Sequence, residues 1–461
     1  MLFTQIEFLV FFCLILALVW ACRNRVARNS ILLVASYYFY AYWDYRFCGL
    51  LLLSTVVDFA VAQLLARTEH TGKRRVLLAV SLVVNLGVLG FFKYCNFFIA
   101  SAQPLLESIG LSGQTLNIIL PVGISFYTFQ TLSYTIDVYR RRLKATNSFL
   151  DFALYVAFFP QLVAGPIVRA RELLPQLSRL PVFSRRRCYG GAQQLLRGAV
   201  KKVLLADRLG EAVDVVFANP DLYSGITVWI AVIGYAGQIY YDFSGYSDMA
   251  IGAAKMLGYR FPANFRHPYL ATSIADFWHR WHMTLSRWLR DYLYIPLGGN
   301  RGGKLATYRN LMLTMTLGGL WHGAAWTFVL WGMWHGCALS IQRWRAERGG
   351  WQFPRIVRWG MTMAVVLVGW VLFRCSPDLS KVGIVLGKMA FLNGGIAWYP
   401  PLAIAAIFCM GLEHIAWCTR LRIAMRLKPE YWYSPVVVAI MVWALVLYAP
   451  RGFTPFVYFQ F

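Results

Sequence analysis

Residues 318–336 read GGLWHGAAWTFVLWGMWHG, an apolar stretch with two histidines, His322 and His335, each of which follows a tryptophan and precedes a glycine. The stretch approaches the roughly 20 residues that are needed to cross about 30 Å of hydrocarbon. An ionisable side chain inside hydrocarbon costs about 3 kcal/mol or more, so it usually marks a functional site. The rest of the chain indicates which fold surrounds these histidines.

Long apolar blocks recur along the 461-residue chain, of which 59% is hydrophobic and only 14% charged, against about 25% charged in a soluble domain. Val76–Leu89, Trp359–Phe373 and Tyr431–Pro450 are uncharged, and Leu2–Ala21 carries only Glu7. We therefore expect an all-α polytopic integral membrane protein with about 10–12 transmembrane helices. Blocks that are too short to span predict re-entrant and interfacial helices. Because no internal repeat or linker is present, we expect one integral domain over residues 1–461, with its motif-bearing core at about 120–340.

The basic residues lie between the apolar blocks and give a net charge of +25. This is the positive-inside pattern of cytoplasmic loops and not a nucleic-acid platform. Arg23, Arg25 and Arg28 follow the first block, which no basic residue precedes. We therefore expect a multi-pass protein whose N-terminus lies outside and whose 22–30 loop lies inside. The nine cysteines have no CxxC spacing, so neither a zinc site nor a disulfide framework is indicated.

The longest polar stretch contains SIADFWHRWHMTLSRWLRDYLY, residues 273–294, where apolar side chains recur at steps of three and four. This spacing predicts one amphipathic helix at the membrane interface. His279 and His282 form an HxxH pair within it, and only Asp276 and Asp291 offer further metal ligands nearby. We favour a structural role for the two histidines and expect no metal.

His322 and His335 are 13 residues apart, so on one unbroken helix they would lie about 20 Å apart and face different sides. The glycines at 318, 319 and 323 offer a break at His322. Non-helical backbone at membrane depth is tolerated only beside protein or a water-filled cavity. His322 is therefore better placed to meet a substrate, whereas His335 either lines the same cavity or bonds to a neighbouring helix.

Two further segments combine apolar sequence with charge. YDFSGYSDMAIG, residues 241–252, carries Asp242 and Asp248, and carboxylates at membrane depth face a cavity or a cation. FFPQLVAGPIVRAR, residues 158–171, indicates either an anion site at a broken helix or a kinked span with snorkelling arginines. No GxSxG, SxxK or Walker motif occurs. The residues alone leave open both a base-type enzyme and a proton-coupled transporter.

The strings WHRWHMTLSRWLRDYLYIPLGGNRGG (278–303) and LTMTLGGLWHGAAWTFVLWGMWHG (313–336) resemble the membrane-bound O-acyltransferases, above all their bacterial branch of alginate O-acetyltransferases. Residues 120–140, 158–169 and 241–252 are also similar to that branch, and the likeness covers most of residues 1–375. The resemblance implies a helical bundle around a central funnel or tunnel. It also implies O-acetylation of a secreted exopolysaccharide at the bacterial inner membrane, together with periplasmic acetyltransferase partner proteins.

The resemblance further implies which residues act. The family's essential histidine falls on His322 and its second histidine on His335, and His322 would serve as general base on the acceptor hydroxyl. The donor would be cytosolic acetyl-CoA, with no tightly bound cofactor. Candidates for substrate or donor binding in the matching strings are Arg280, Arg290, Asp291, Asn300, Trp321 and Asp242.

The motifs do not identify the polymer, for which alginate is the first expectation and cellulose or another glycan the next. A proton-coupled membrane transporter and a secretion-complex scaffold remain the alternatives.

Overall fold

The structure is a computed structural model of the chain, and it describes residues 1–111, 113–349, 353–418, 431–448 and 456–457. Helices make up most of these residues, as predicted, and the described chain forms no extended strand. The chain forms two compact units, Met1–Leu195 with Ser247–Pro262 and Leu196–Tyr246 with Ala263–Phe461. The single integral domain expected from the sequence, with its central funnel, stays a prediction.

Nine helices lie wholly in the first unit, and a tenth begins there. They are α1 (Ile6–Ala21), α2 (Arg25–Asp44), α3 (Cys48–Arg67), α4 (Thr71–Leu89), α5 (Cys95–Ser108), α6 (Ile124–Tyr139), α7 (Phe149–Ala157), α8 (Phe159–Leu162), α9 (Ala170–Leu177) and α10 (Arg185–Val200). Polar side chains join them where they are buried. Asp151 of α7 accepts hydrogen bonds from Arg25 and Asn29 of α2, at 2.9 and 2.8 Å. Such pairs satisfy polar groups that hydrocarbon cannot.

The two charged segments singled out in the sequence have protein partners in this unit. Arg169 is buried at the start of α9, where its backbone N–H donates to the Glu172 side chain at 3.2 Å. Asp248 accepts a hydrogen bond from Gln194 at 3.1 Å. The Asp248 carboxylate thus has a protein partner, and the choice between an anion site and a kinked span at residues 158–171 stays a prediction.

The described helices that follow are α11 (Asp207–Ala218), α12 (Gly225–Met256), α13 (Ile274–Arg280), α14 (Met283–Leu289), α15 (Gly303–His322), α16 (Trp326–Glu347), α17 (Arg355–Arg374), α18 (Leu379–Phe391), α19 (Pro401–Cys418) and α20 (Tyr433–Leu447). By length and composition, three helical stretches of the described chain are able to cross a membrane, namely Arg25–Arg67, Thr71–Ser108 and Arg355–Arg374. The expected 10–12 crossings count shorter helices too, and that number stays a prediction. The apolar block at 431–450 ends outside the described residues.

The prediction of a single amphipathic helix over residues 273–294 is wrong. The chain forms α13, breaks at His282 with a φ of +40°, and continues as α14 and a π-helical turn over Arg290–Tyr294. Asn264 fixes the break, because its side-chain oxygen accepts from the Thr284 hydroxyl at 2.9 Å and its carbonyl accepts from the Met283 N–H at 2.9 Å. Ser273 does cap α13, accepting from the Asp276 N–H at 3.1 Å.

Helices α15 and α16 form the hairpin that carries both histidines, and glycines set its close packing. A Cβ on Gly319 would lie 3.0 Å from the Gly332 nitrogen, and one on Gly332 would lie 2.8 Å from the Cα of Thr316. Side chains at these positions would hold the backbones apart. The chain turns between the two helices at Gly323, whose extended φ of −160° ends α15 directly after His322.

Candidate active site

His322 is the C-terminal residue of α15. Only 6% of its surface is exposed, and aromatic rings surround it. Its ring centroid is 5.0 Å from that of Trp331 and 5.4 Å from that of Phe373. Trp331 comes from α16 and Phe373 from α17, so three helices fix the position of the imidazole. The predicted break of the chain at His322 is confirmed, because α15 ends there and α16 begins at Trp326.

Trp331 stands between the two histidines. Its ring centroid is 5.0 Å from His322 and 4.9 Å from His335, and it meets both rings at steep angles. His335 also packs on Trp278 of α13 at 5.1 Å, and it is only 1% exposed. The hairpin thus brings together two histidines that a straight helix would separate, yet it keeps a tryptophan between them.

A cavity of about 370 Å³ opens beside His322 and is bounded by α13, α14, α15 and α16. Gly318 leaves bare backbone in its wall, and Met315 and Leu289 supply apolar surface. The lining residues are Ala275, Trp278, His279, Met283, Leu285, Ser286, Arg287, Leu289, Arg290, Tyr294, Leu311, Thr314, Met315, Gly318, His322, Trp331 and Leu339.

The cavity has a basic side as well as a histidine side. Arg287 in the last turn of α14 and Arg290 in the following π-helical turn both line it, together with the exposed His279. Asp291 accepts a hydrogen bond from Arg290 at 2.7 Å, which raises the pKa of the Arg290 guanidinium. The cavity therefore combines an apolar wall, a buried imidazole and permanent positive charge.

The model of the membrane-bound O-acyltransferase family matches residues 34–376. The chain belongs to this family. It is 45% identical over 398 residues to the probable alginate O-acetylase AlgI of Pseudomonas putida, covering 84% of this chain and 80% of the relative. It is 37% identical over 401 residues to the peptidoglycan O-acetyltransferase of Helicobacter pylori, covering 81% and 75%. The teichoic acid D-alanyltransferase of Bacillus subtilis is 27% identical over 256 residues, covering 51% and 64%.

The chain is therefore a membrane protein and an O-acyltransferase, which favours the enzyme over the transporter and the scaffold considered from the sequence. The strings that carried the resemblance, residues 278–303 and 313–336, contain most of the cavity's lining residues. The part of the O-acyltransferase beyond residue 376 lies outside the match to the family.

The predicted site residues of this O-acyltransferase fall into three groups by their position relative to the cavity. His322 and Arg290 line the cavity. His335, Trp321 and Asp291 touch lining residues instead, through Trp331, His322 and Arg290 respectively. Arg280 pairs with Asp276 at 2.8 Å, and Asn300 is exposed in the turn before α15, so neither is brought to His322.

Asp242 lies in a buried ion cluster that does not line the cavity. Lys202 contacts Asp242 at 2.6 Å and Asp207 at 2.8 Å, and the Val457 N–H donates to the other Asp242 oxygen at 2.8 Å. The sequence prediction that a carboxylate here faces a cavity or a cation is met by the lysine cation. The role of Asp242 in substrate binding has no support from this position.

The aromatic residues that surround His322 in this O-acyltransferase were not predicted from the sequence. Phe373 has no signal in the sequence, because it stands 51 residues after His322 in a uniformly apolar block. Trp331 was visible within the stretch 318–336, but its role depends on the turn at Gly323. Arg287 and Trp278 belong to the amphipathic stretch, where their spacing predicted a surface helix and not a cavity wall.

The two histidines of the HxxH pair do not face a common site. His279 is exposed and lines the cavity, whereas His282 is buried with its Nδ1 at 3.1 Å from the Asn264 side-chain oxygen. Among the described residues no group of three or more His, Cys, Asp or Glu side chains is able to hold a metal ion. The absence of a metal from the reaction stays a prediction.

Proposed function

We propose that this O-acyltransferase acetylates a secreted polysaccharide and that His322 is its general base. The observation that carries the proposal is the cavity of about 370 Å³, which joins the buried His322 to Arg287 and Arg290. A base needs access to the hydroxyl proton that it removes, and an activated acyl donor needs a binding surface beside it. The cavity provides both within the second unit.

In the proposed reaction, a ring nitrogen of His322 takes the proton of the acceptor hydroxyl as the oxygen attacks the thioester carbonyl carbon. The new C–O ester bond forms, the C–S bond breaks, and the thiolate leaves with the proton that His322 returns. The aromatic rings of Trp331 and Phe373 hold the imidazole and exclude water, which would otherwise hydrolyse the thioester. General base catalysis of this kind contributes about 10²–10⁴-fold.

The donor we propose is acetyl-CoA from the cytosol, with its anionic phosphates toward Arg287 and Arg290. Guanidinium groups bind phosphate through paired hydrogen bonds. This assignment places the basic side of the cavity toward the cytosol, in a protein of the bacterial inner membrane with a periplasmic N-terminus, as the basic loop after the first helix favours. No tightly bound cofactor enters the proposed reaction.

The acceptor we propose is an exopolysaccharide hydroxyl, reached either directly or through a periplasmic acetyltransferase partner protein. The relatives named for alginate and for peptidoglycan support a polymer acceptor. Identities of 41–45% to five probable alginate O-acetylases make alginate the first polymer to test, with cellulose or another glycan next.

His335 serves in this proposal as a positioning residue and not as the base. Its ring packs on Trp331 and Trp278, and Gly369 leaves room for it, since a Cβ there would lie 2.7 Å from its Nε2. His335 thus holds Trp331 against His322. Its loss would displace the base without removing it.

The test is the acetyl ester content of the exopolysaccharide in a host whose own copy is deleted, complemented at equal membrane levels. We expect His322→Ala and His322→Gln to abolish the ester while the polymer is still secreted. His335→Ala should retain a fraction of the wild-type ester content. His70→Ala is the matched control, because His70 is exposed in the first unit and only caps α4.

Normal ester in either His322 variant would contradict the base assignment. Loss of polymer secretion together with the ester would instead favour a scaffold role. If the His322 variants lost a proton-coupled transport activity while the ester content stayed normal, a transporter would be favoured. Ester made in membranes supplied with purified acetyl-CoA as the sole donor would support the donor, and failure with that donor would exclude it.

A further inference from the structure

His267 and His414 form another pair of histidines in the second unit, outside the cavity at His322. His414 lies on α19 and is 4% exposed, whereas His267 lies in the segment between α12 and α13. Their ring centroids are 5.2 Å apart and the ring planes are nearly perpendicular, at 88°. Neither ring lines the cavity, and α19 lies beyond the part of the chain that matches the family. The proposed acyl transfer makes no use of this pair.

The hydrogen bond of His414 determines where its ring carries a proton. Its Nδ1 lies 2.9 Å from the Met410 carbonyl oxygen, one turn earlier in α19. A carbonyl oxygen only accepts, so Nδ1 donates its hydrogen and the neutral ring keeps its lone pair on Nε2. This Nε2 is buried and has no hydrogen-bond partner among the described residues. The described part of the chain therefore supplies no donor to the lone pair of His414.

His267 carries a similar nitrogen on the adjoining ring. Its Nδ1 is also buried, and no described residue forms a hydrogen bond with it. One N–H···N hydrogen bond between the two rings would satisfy both nitrogens, yet the pair does not form it. Trp417 stacks on His267 at 4.2 Å and holds the ring beside His414. Because a buried polar atom without a partner costs stability, two such atoms on contacting rings indicate a ligand that both rings bind.

The geometry of the pair favours a transition-metal ion as this ligand. Two imidazoles on one Zn²⁺ at the tetrahedral angle have ring centroids roughly 5.3 Å apart, and the observed separation is 5.2 Å. A histidine that binds a metal typically donates its other N–H to a carbonyl or carboxylate, as His414 does to Met410. A bridging water would need further polar partners, but the nearby Tyr269 hydroxyl already donates to the Ala236 carbonyl at 2.6 Å.

We propose that His267 Nδ1 and His414 Nε2 together bind one divalent first-row transition-metal ion, with Zn²⁺ as its representative. Among the described residues no third His, Cys, Asp or Glu completes the set, so water or an exchangeable ligand takes the remaining positions. This makes the site open, unlike a closed structural zinc site with four protein ligands. Mg²⁺ and Ca²⁺ prefer oxygen ligands and do not fit two imidazoles.

The charges around the pair bear on its affinity. Glu413 is the acidic residue that acts on both imidazoles, and its side chain is 27% exposed, which leaves a path for an ion to enter. Lys201 lies 3.7 Å from Glu413 and acts on both rings, and Arg280 acts on His267. These cations oppose a divalent ion, whereas Glu413 attracts it. We therefore expect reversible binding.

The ion would join α19 to the segment that holds the break between α13 and α14. In this segment the Asn264 carbonyl accepts from the Met283 N–H, and the Arg266 N–H donates to the Arg280 carbonyl, each at 2.9 Å. His267 follows directly after Arg266. Binding would thus stabilise the wall of the cavity from outside it, whichever acyl donor or acceptor the enzyme uses.

The experiment is Zn²⁺ binding by the full-length chain in detergent, freed of any affinity tag and of bound metal, in competition with a coloured zinc chelator. We expect one Zn²⁺ per chain. His267→Gln and His414→Gln should each weaken binding at least about 100-fold, because losing a residue that merely orients a metal ligand already costs about 10–100-fold. His70→Gln and His279→Gln are the matched controls, because each removes an exposed histidine elsewhere and should change binding by less than about twofold.

Two measurements on the wild-type chain do not depend on how the variants fold. Zn²⁺ should raise the melting temperature and Mg²⁺ should not. Electron paramagnetic resonance of the chain loaded with Cu²⁺ should show two coordinated imidazole nitrogens. A wild-type chain that binds no Zn²⁺, or Cu²⁺ without nitrogen ligands, would overturn the proposal. Equal weakening by His279→Gln would also overturn it, because the ion would then lie at the HxxH pair. No measurement uses acyl transfer, so the result is independent of the proposed function.

Discussion

Gly332→Ala tests whether close approach of α15 and α16 positions the base. A Cβ at Gly332 would lie 2.8 Å from the Cα of Thr316, whereas ordinary contacts begin at 3.4 Å. The added Cβ would meet backbone atoms of α15, which cannot move aside as a side chain can. The two helices must therefore separate by at least about 0.6 Å. Trp331 precedes the altered residue and moves with it, away from His322. A displacement of 1 Å at a reacting group costs about 10²-fold, which sets the expected activity loss at about tenfold or more.

The assay is acetyl ester formation at equal membrane levels, with thermal unfolding of the purified protein followed in parallel. Overpacking of backbone against backbone should also destabilise the protein by about 1–3 kcal/mol. Gly360→Ala is the control, because Gly360 lies in α17 with no atom within 4 Å of its added Cβ. It should be neutral or slightly stabilising. Full activity and an unchanged melting temperature in Gly332→Ala would refute the argument.

Three further outcomes follow from the contacts of the second unit. Trp331→Leu should lower kcat at least about tenfold, because it removes the ring between both histidines, whereas Trp331→Phe should retain more activity. Arg287→Gln/Arg290→Gln should raise the KM for acetyl-CoA about tenfold or more with a smaller effect on kcat, since charged hydrogen bonds contribute about 1.5–3 kcal/mol. Lys202→Met should destabilise the protein by about 3–5 kcal/mol, because it leaves buried carboxylates without their cation. In size-exclusion chromatography, the double variant Lys202→Met/Asp242→Asn should recover part of the monodisperse protein that Lys202→Met loses.

The helices were predictable from the sequence because hydrocarbon length and charge exclusion act on each block separately. The block Leu2–Ala21 becomes Ile6–Ala21, and Trp359–Phe373 becomes Arg355–Arg374. The break at His282 was not predictable, because the periodicity of residues 273–294 is helical throughout. It is a tertiary contact with Asn264, 18 positions earlier in the chain, that stabilises the left-handed conformation.

The position of His322 could be anticipated, because glycine and histidine together inside an apolar stretch contradict a simple span. The residues around it could not. A contact such as His322 with Phe373 depends on how α17 packs on the hairpin, and no local pattern distinguishes Phe373 from the other apolar residues of its block. The basic residues of the cavity were visible as charges, but their orientation depends on the break between α13 and α14.

The LGGLWHG string has a physical meaning in the hairpin. Gly318 admits α14, since a Cβ there would lie 3.1 Å from Leu289 Cδ1, and Gly319 admits the backbone of α16 at Gly332. Adjacent residues on a helix point about 100° apart, so the two glycines serve two different neighbours. A side chain at Gly319 would alter the geometry around His322 from outside the cavity, whereas one at Gly318 would also narrow the cavity itself. Loss of activity on substituting Gly319 therefore identifies a packing constraint, and only the histidine variants address the chemistry.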